Sequence, residues 1–534
     1  MAMFLNSSIP YESYKEVLSD RYFVDKSMLL DELIPALGRK NRYFCITRPR
    51  RFGKTVMANM VGAFFEKIGE PGVFDGLAIS QSVNYSTHLN QHNVIYIDFS
   101  RIPEKCSSYR MYITRVIDGL KKDIFSAFSC QEINQEESIW DILQAINENM
   151  KCKFIFVIDE WDAVFHMPFI SKEEQQDYIL FLKNLLKDQP YVELAYMTGI
   201  LPIAKYSSGS ELNMFVEYDM AVSEKFSEYF GFSDAEVDRL YEIYQKETNV
   251  IKFSRKDLRI WYNGYCTATG KRLYNPRSIV LALTDNQLRN YWTGSGPYDE
   301  LFYYIQNNIA DVREELVLMV AEERISTDIG KFSASTMEMV SKEQIYSAMV
   351  VYGLLTYENG EVFIPNKELM DKFNELLLSK DSLGYVYRLA RKSEQMLQAT
   401  IAGDTQTMEE ILQFAHDTES PILSYNNETE LSALVNLCYL SARNKYRVER
   451  EEKAGKGFVD FIFYPERESE DCIILELKVD STPQAAIRQI KDKNYALRFQ
   501  GKMGENRKYT GRIIAVGISY SKTTKGHSCE IEIL

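Results

Sequence analysis

Three sets of residues in this chain have types and spacings that could do chemistry. The first closes the stretch "CITRPRRFGKTVMANM": Gly53, Lys54 and Thr55 bring a lysine, a hydroxyl and a run of backbone N–H groups to the start of a helix. That combination cradles nucleotide phosphates and places a hydroxyl on their magnesium ion. The second is Asp159-Glu160, at the end of the apolar run Phe154 to Ile158. There an aspartate supports the magnesium ion, and a following glutamate orients and deprotonates the attacking water. The third is Asp460, Glu476 and Lys478. Two carboxylates that hold a hard cation, with a lysine that positions or deprotonates water, are what magnesium-dependent phosphodiester hydrolysis requires.

Each set needs an element to hold it. "RYFCIT" reads as a short strand and "VMANMVGAFFEKIG" as a helix by the spacing of its apolar residues, so the loop has strand, loop, helix context. The position where G-x-x-x-x-G-K-[ST] begins with glycine is Arg48. Pro49 can make the tight turn by another route. Arg48, Arg50 and Arg51 add positive charge that would contact ATP, face a partner subunit or nucleic acid, or simply be solvated. The expected ATP-binding set is Arg48, Pro49, Arg50, Arg51, Phe52, Gly53, Lys54 and Thr55 with Asp159 and Thr198; Thr55 and Asp159 hold magnesium, and Glu160 is catalytic.

"KFIFVIDEWDAVF" has the pattern of a buried parallel strand with acids at its C-terminal end. Alone it would also suit a core strand ending in an acidic turn, but the Gly-Lys-Thr upstream favours an ATP site. "NVIYIDFS" and "VELAYMTGI" read as further strands ending where a doubly wound sheet places ligands. Thr198 is a candidate sensor of the terminal phosphate and Asp98 a candidate site residue; each would serve equally as a cap of a helix or turn.

"KGFVDFIFYPERESEDCIILELKVD" reads as two strands around the charged turn Pro465 to Asp471. A turn centred near Glu468 puts Asp460 opposite Glu476 in antiparallel pairing. Side chains alternate along a strand, so Glu476 and Lys478 share a face and Asp460 joins them. Leu475, Leu477 and Val479 then face the core. The other reading is a cross-strand cluster that solvates the sheet.

A chain of 534 residues is too long for one hydrophobic core. Its 45% apolar and 26% charged residues are those of a soluble globular protein. No uncharged apolar run would span a bilayer, and "MAMFLNSSIPYESYK" has no basic segment leading into an apolar core, so a cytoplasmic location is expected. Eight cysteines without a C-x-x-C pair, and five separated histidines, fit reduced thiols better than disulfides or zinc. The net charge of −14 argues against a protein that coats nucleic acid, although the segment after Glu428 is slightly basic and best suited to meet a polyanion.

In order along the chain, "IPYESYKEVLSDRYFVDKSMLLDELI", "TRPRRFGKT", "FDGLAIS", "VIYIDFS", "VIDEWDAVF", "MTGILPIAK" and "WYNGYCTATGKRLYNPRSIV" resemble the bacterial AAA-ATPase-like proteins that carry a C-terminal nuclease-like domain. The resemblance implies that R-P-R-R-F-G-K-[ST] is that family's own form of the loop. It also implies that Asn275 and Arg277 lie where a lid reaches back to the nucleotide; the family's more usual residue at Arg277 is aromatic. The D-x(15)-E-L-K arrangement resembles the PD-(D/E)XK nuclease superfamily. That implies an extra acid at Glu428 or Glu430 on the domain's first helix, and Gln489, Lys493 and Tyr495 as contributions of a later helix, with Gln489 counted among the catalytic residues.

The expected fold is multidomain α/β. An ASCE/AAA-like P-loop sheet (1–222) is followed by a helical lid (223–290), a helical and winged-helix-like region (291–380), a helical linker (381–427) and a restriction-endonuclease-like α/β domain (428–534). Asn359-Gly360 marks the turn of the wing's hairpin. The expected function is an ATPase coupled to a magnesium-dependent nuclease, with ATP and Mg2+ as cofactors and DNA, more than RNA, as partner. The alternative is a STAND-like nucleotide-controlled switch or scaffold whose nuclease-like domain binds DNA or a protein without cleaving. A homo-oligomer fits P-loop ATPases that borrow an arginine from a neighbouring subunit, and no membrane partner is expected.

Overall fold

The computed structural model describes residues 2–67, 72–128, 134–203, 211–292, 312–320, 322–329, 341–379, 385–417, 428–454, 457–500 and 508–534. They form two compact units, Met1–Gly296 with Ser326–Glu368, and Pro297–Ile325 with Leu369–Leu534.

The first unit is built on strands β1 (Tyr43–Thr47), β2 (Asn93–Asp98), β3 (Phe154–Asp159), β4 (Val192–Gly199) and β5 (Val216–Tyr218). They pair in parallel in the order β2-β3-β4-β1-β5. β1 and β3 are buried along their whole length, as unbroken apolar runs must be when helices cover both faces of a sheet. Alternation decides which side chain meets which layer. Phe44, Ile46, Ile155 and Val157 pack under helices α1 (Ser8–Leu18) and α2 (Lys54–Phe65). Tyr43, Cys45, Phe154 and Phe156 pack under α3 (Tyr109–Ala127), α4 (Ile139–Met150) and α5 (Lys172–Leu186).

Helices α6 (Asp234–Glu247), α7 (Arg255–Tyr262) and α8 (Pro276–Asp285) share a separate small core that includes Leu240, Tyr244, Leu258, Tyr262 and Ile279. After them come α9 (Lys342–Tyr352), a hairpin of β6 (Thr356–Glu358) and β7 (Glu361–Phe363), and α10 (Lys367–Ser379). The hairpin turns at Asn359 and Gly360, both at positive φ of 52° and 87°. Asparagine and glycine tolerate that conformation, which is why the pair could be read as a turn.

The second unit holds helices α11 (Tyr385–Ala402), α12 (Thr405–Asp417) and α13 (Glu428–Cys438). Its mixed sheet runs β8 (Tyr446–Ala454), β9 (Gly457–Pro465), β10 (Cys472–Val479), β11 (Ile513–Ser521) and β12 (Gly526–Ile533) in sequential order. Only β10 and β11 are parallel, so the chain must cross over between them, and α14 (Pro483–Asp492) makes the crossing. It presses so closely on β11 that a Cβ at Gly517 would stand 2.3 Å from the Pro483 carbonyl oxygen.

Candidate functional site

In the first unit, β4 lies between the strand that feeds the phosphate loop and the strand that ends in Asp159. That order sets Thr198 beside Asp159: the threonine hydroxyl donates a short hydrogen bond to Oδ1, and both residues are buried. The other oxygen of Asp159, Oδ2, is buried without a partner. Burial pushes the carboxyl up to about 6, while the Thr198 hydrogen bond, and to a lesser degree the nearby Thr55 hydroxyl, hold it partly back. A buried carboxylate with one unanswered oxygen beside a threonine hydroxyl is a donor set that suits magnesium.

Gly53 sits at φ 86°, immediately before α2. A side chain there would meet nothing within 4 Å, so what requires glycine is the left-handed backbone, worth about 1–2 kcal/mol. Lys54 is 4% exposed, and its ammonium donates to the carbonyls of Arg48 (3.1 Å) and Pro49 (3.3 Å). Glu160, itself at φ 51°, brings Oε1 to 4.0 Å from the same ammonium. Burial raises the Glu160 carboxyl, and Lys54 opposes that rise. The lysine is thus stored behind the loop by main-chain oxygens, within reach of one acid.

The three arginines separate. The Arg48 guanidinium is buried: Nη1 donates to the carbonyls of Thr47 (2.8 Å) and Tyr218 (2.7 Å), and the group lies over the Phe230 ring. Arg50 acts electrostatically on Glu160. Arg51 takes a φ of 70° and is only partly exposed. Pro49 packs against Gly353, where a Cβ would come within 2.6 Å of it, and Phe52 is buried edge-on to Tyr265. Asp98 caps its own turn by accepting from Ser100 and Arg101.

Later parts of the first unit hold the loop's backbone. The carbonyl of Arg50 accepts from Asn275 Nδ2 (3.4 Å) and from the indole of Trp292 (3.2 Å). Asn275 is fully buried, and its Oδ1 caps α8 by accepting from the backbone of Arg277 and Ser278. The Arg277 backbone is therefore part of that cap. Sequence reasoning missed Trp292 and its anchor, the buried Glu368, which accepts from Ser278 Oγ and from the backbone N–H groups of Tyr291 and Trp292. It also missed Asp162, buried two residues beyond Glu160, which accepts from Ile200 N (2.9 Å) and Leu201 N (2.7 Å) and fixes the chain just after Thr198. The only signal for Asp162 was a third acid in "DEWD"; Trp292 and Glu368 gave none.

In the second unit the register is the one expected from the turn, with Phe461 opposite Leu475 and Ile462 opposite Ile474. Continuing it by one residue brings Asp460 to Glu476. Asp460 Oδ2 accepts from the backbone N–H of Leu477 at 2.7 Å. Glu476 Oε1 accepts from Lys478 Nζ (3.2 Å) and, through a short bond, from Gln489 Nε2 on α14. Glu476 Oε2 is buried without a partner. Burial first, and Asp460 second, push the Glu476 carboxyl up to about 7, against the pull of Lys478. The pair Asp460 and Glu476, with that unanswered oxygen, again suits a hard cation, although no larger group of His, Cys, Asp or Glu that would hold a metal occurs among the described residues.

The alternative of a cross-strand cluster that solvates the sheet is not what forms here. The acid face of β10 is not the open face: α14 covers it with Ile487 and Ile490, while Ile473, Leu475 and Leu477 on the other face are buried too. A parallel crossover buries both faces, so Glu476 is only 3% exposed. Tyr495 is buried, and its hydroxyl interacts with Gln489; Lys493 ends α14 as its C-cap. Glu428 and Glu430 lie in the first turn of α13, and their side chains fall outside the described residues.

Comparison with known proteins follows the same division. Residues 9–208 match the model of a family described as a predicted AAA-ATPase, and residues 427–526 match that of the PD-(D/E)XK nuclease superfamily. An uncharacterized protein in the vnfD 5' region of Azotobacter chroococcum mcd 1 is 22% identical over 530 residues, which is 95% of this chain and 94% of that protein. Among solved structures, a Walker-type ATPase of Pyrococcus abyssi is 11% identical with a TM-score of 0.35, covering 65% of this chain and 94% of its own. The ORC2 protein of Aeropyrum pernix, in ADPNP-ADP complexes, is 11% identical with a TM-score of 0.29, covering 70% and 96%. No helix among the described residues is long and apolar enough to cross a membrane.

Proposed function

We propose that this chain, which joins an AAA-ATPase-like domain to a PD-(D/E)XK nuclease superfamily domain, hydrolyses ATP at the first and cleaves DNA at the second with magnesium. The observation that carries the reading is shared by both sites: each has a buried acid with one unanswered oxygen, pushed towards neutrality by burial, and a lysine at hand. Bound magnesium would supply charge neutralisation and an activated water at each.

At the ATP site, Lys54 and the amides after Gly53 bind phosphate oxygens, Thr55 and Asp159 hold the metal, and Thr198 fixes the aspartate's orientation. Glu160 takes the proton of the attacking water. At the second site, Asp460 and Glu476 hold the metal, Lys478 takes or orients the water's proton, and Gln489 keeps Glu476 aimed. The slightly basic balance of the last domain supports DNA as its substrate.

A second reading, a nucleotide-controlled switch that binds DNA without cutting it, is favoured by the two contacts of one residue. Lys478 is already engaged by Glu476 and by the carbonyl of Leu477 at 2.8 Å. Incubating single- and double-stranded DNA and RNA with magnesium, with and without ATP, separates the readings. The proposal expects cleavage of DNA that disappears in Glu476→Ala and Lys478→Ala; tight ATP binding with no cleavage of any substrate selects the switch.

A further inference from the structure

Hydrolysis of a terminal phosphate moves charge. The oxygen of water bonds to the terminal phosphorus, its proton goes to a base, and the electron pair of the breaking bond stays on the bridging oxygen of the diphosphate that leaves. The terminal oxygens carry negative charge through this step, and P-loop enzymes answer it with an arginine supplied in cis or by a partner.

The three arginines of the phosphate loop are not equivalent. Arg48 is spent inside the fold, where Nη1 donates to the carbonyls of Thr47 and Tyr218 and the group stacks on Phe230. Arg51 takes the left-handed backbone at φ 70° and is already engaged. Arg50 is partly exposed, and its guanidinium forms no hydrogen bond or ion pair with the described residues.

The main chain of Arg50, by contrast, is tied down. Its carbonyl accepts from Asn275 Nδ2 (3.4 Å) and Trp292 Nε1 (3.2 Å), and both of those side chains are buried. The other flank is fixed through Lys54, whose Nζ lies 3.3 Å from the Pro49 carbonyl, the start of the Pro49–Arg50 peptide, and 4.0 Å from Glu160 Oε1. One ammonium thus separates the root of the Arg50 side chain from the acid read above as the base for the attacking water, a gap that an arginine side chain spans. Its charge is felt there: burial raises the Glu160 carboxyl, and Lys54 and, after it, Arg50 oppose the rise.

Resting on the ATPase reading above, we propose that Arg50 is a catalytic arginine supplied in cis, whose guanidinium binds the terminal phosphate oxygens and stabilises their charge while water attacks. Arginine suits the task because its planar fork meets two phosphate oxygens at once and never loses its charge. Glu160 takes the water's proton, and ADP leaves with the electron pair of the broken bond. Each chain then completes its own site without an arginine from a neighbour.

The test uses the full chain with ATP and magnesium. Arg50→Ala keeps the carbonyl that Asn275 and Trp292 hold, so the loop retains its supports. Steady-state kcat should fall about a hundredfold, with KM for ATP changed by less than about threefold. ADP with aluminium fluoride, which mimics the transferring phosphoryl group, should bind the variant about tenfold more weakly or worse, whereas ADP alone should bind as it does to wild type. Mixing Arg50→Ala with Lys54→Ala should give no more turnover than the two give separately. Wild-type turnover that Arg50→Ala leaves within about twofold overturns the proposal. So does a gain on mixing, which would show Arg50 reaching into a neighbour's site. If the wild type hydrolyses no ATP, the ATPase reading itself fails, and the proposal falls with it.

Discussion

The phosphate loop and the β9–β10 hairpin present the same chemical kit, an acid pushed up by burial and a lysine, but they assemble it differently. In the loop, main-chain atoms do the positioning: Lys54 is held by two carbonyls, and the backbone beside it is held in turn by Asn275 and Trp292. In the hairpin, side chains hold one another, Lys478 and Gln489 on Glu476, and the backbone adds the Leu477 N–H on Asp460 and the Leu477 carbonyl under Lys478. A lysine kept on neutral carbonyls, with its one acid as far as 4.0 Å, can be handed to an incoming anion at the cost of little more than two neutral hydrogen bonds. A lysine kept on a carboxylate is released when a cation takes that carboxylate. The two arrangements therefore suit a site that receives phosphates and a site that receives metal.

The largest expected effect breaks one side of this comparison and leaves the other. Lys54→Ala should lower the steady-state ATPase rate by about 10²–10³-fold, the usual cost of removing a charge-stabilising donor. Magnesium binding in the second unit, read by calorimetry, should not change in that variant.

The next sharpens the difference through pH. The Glu476 carboxyl is raised to about 7 from an ordinary 4.5, so the fold favours its protonated form. Its contribution to stability is complete below the ordinary value and is lost as pH rises through about 7. Magnesium must displace that proton, so affinity at the hairpin should fall about tenfold per pH unit below 7. Asp159, Glu66 and Glu217 are also raised, to about 6, 8 and 7, so the measurement is the difference between wild type and Glu476→Gln. In melting curves of the metal-free chain, the variant should lose less stability between pH 4.5 and 7.

How much of each site could be read in the sequence follows from the same contrast. The hairpin acids lie in neighbouring strands, and a charged turn with period-two alternation was enough to pair Asp460 with Glu476. Asp159 was legible because an unbroken apolar run ending in acids was read together with the Gly-Lys-Thr upstream; alone it would also suit a core strand ending in an acidic turn. What alternation could not say was that a helix covers the acid face, because that depends on β10 and β11 being parallel, a pairing across the whole of α14. The loop's supports were out of reach for the same reason. Trp292 and Glu368 are 242 and 318 positions beyond Arg50, and neither type advertises a role. Arg48 was legible as an oddity but not as a buried group.

The smallest expected effect tests those distant supports. Trp292→Phe removes one hydrogen bond to the Arg50 carbonyl while keeping most of the apolar volume. A neutral hydrogen bond contributes about 1 kcal/mol, so KM for ATP should rise about fivefold with little change in kcat. An equal change in a hairpin readout would show that the two sites do not stand on separate supports.

If two working sites share this chain, DNA cleavage is where the second must show itself. Purified wild-type chain and Glu476→Ala would be incubated in parallel with DNA and magnesium, with and without ATP. Cleavage by the wild type is expected to require magnesium, with none above background by Glu476→Ala while its ATPase rate is retained. Undiminished cleavage by Glu476→Ala would remove the hairpin from the chemistry.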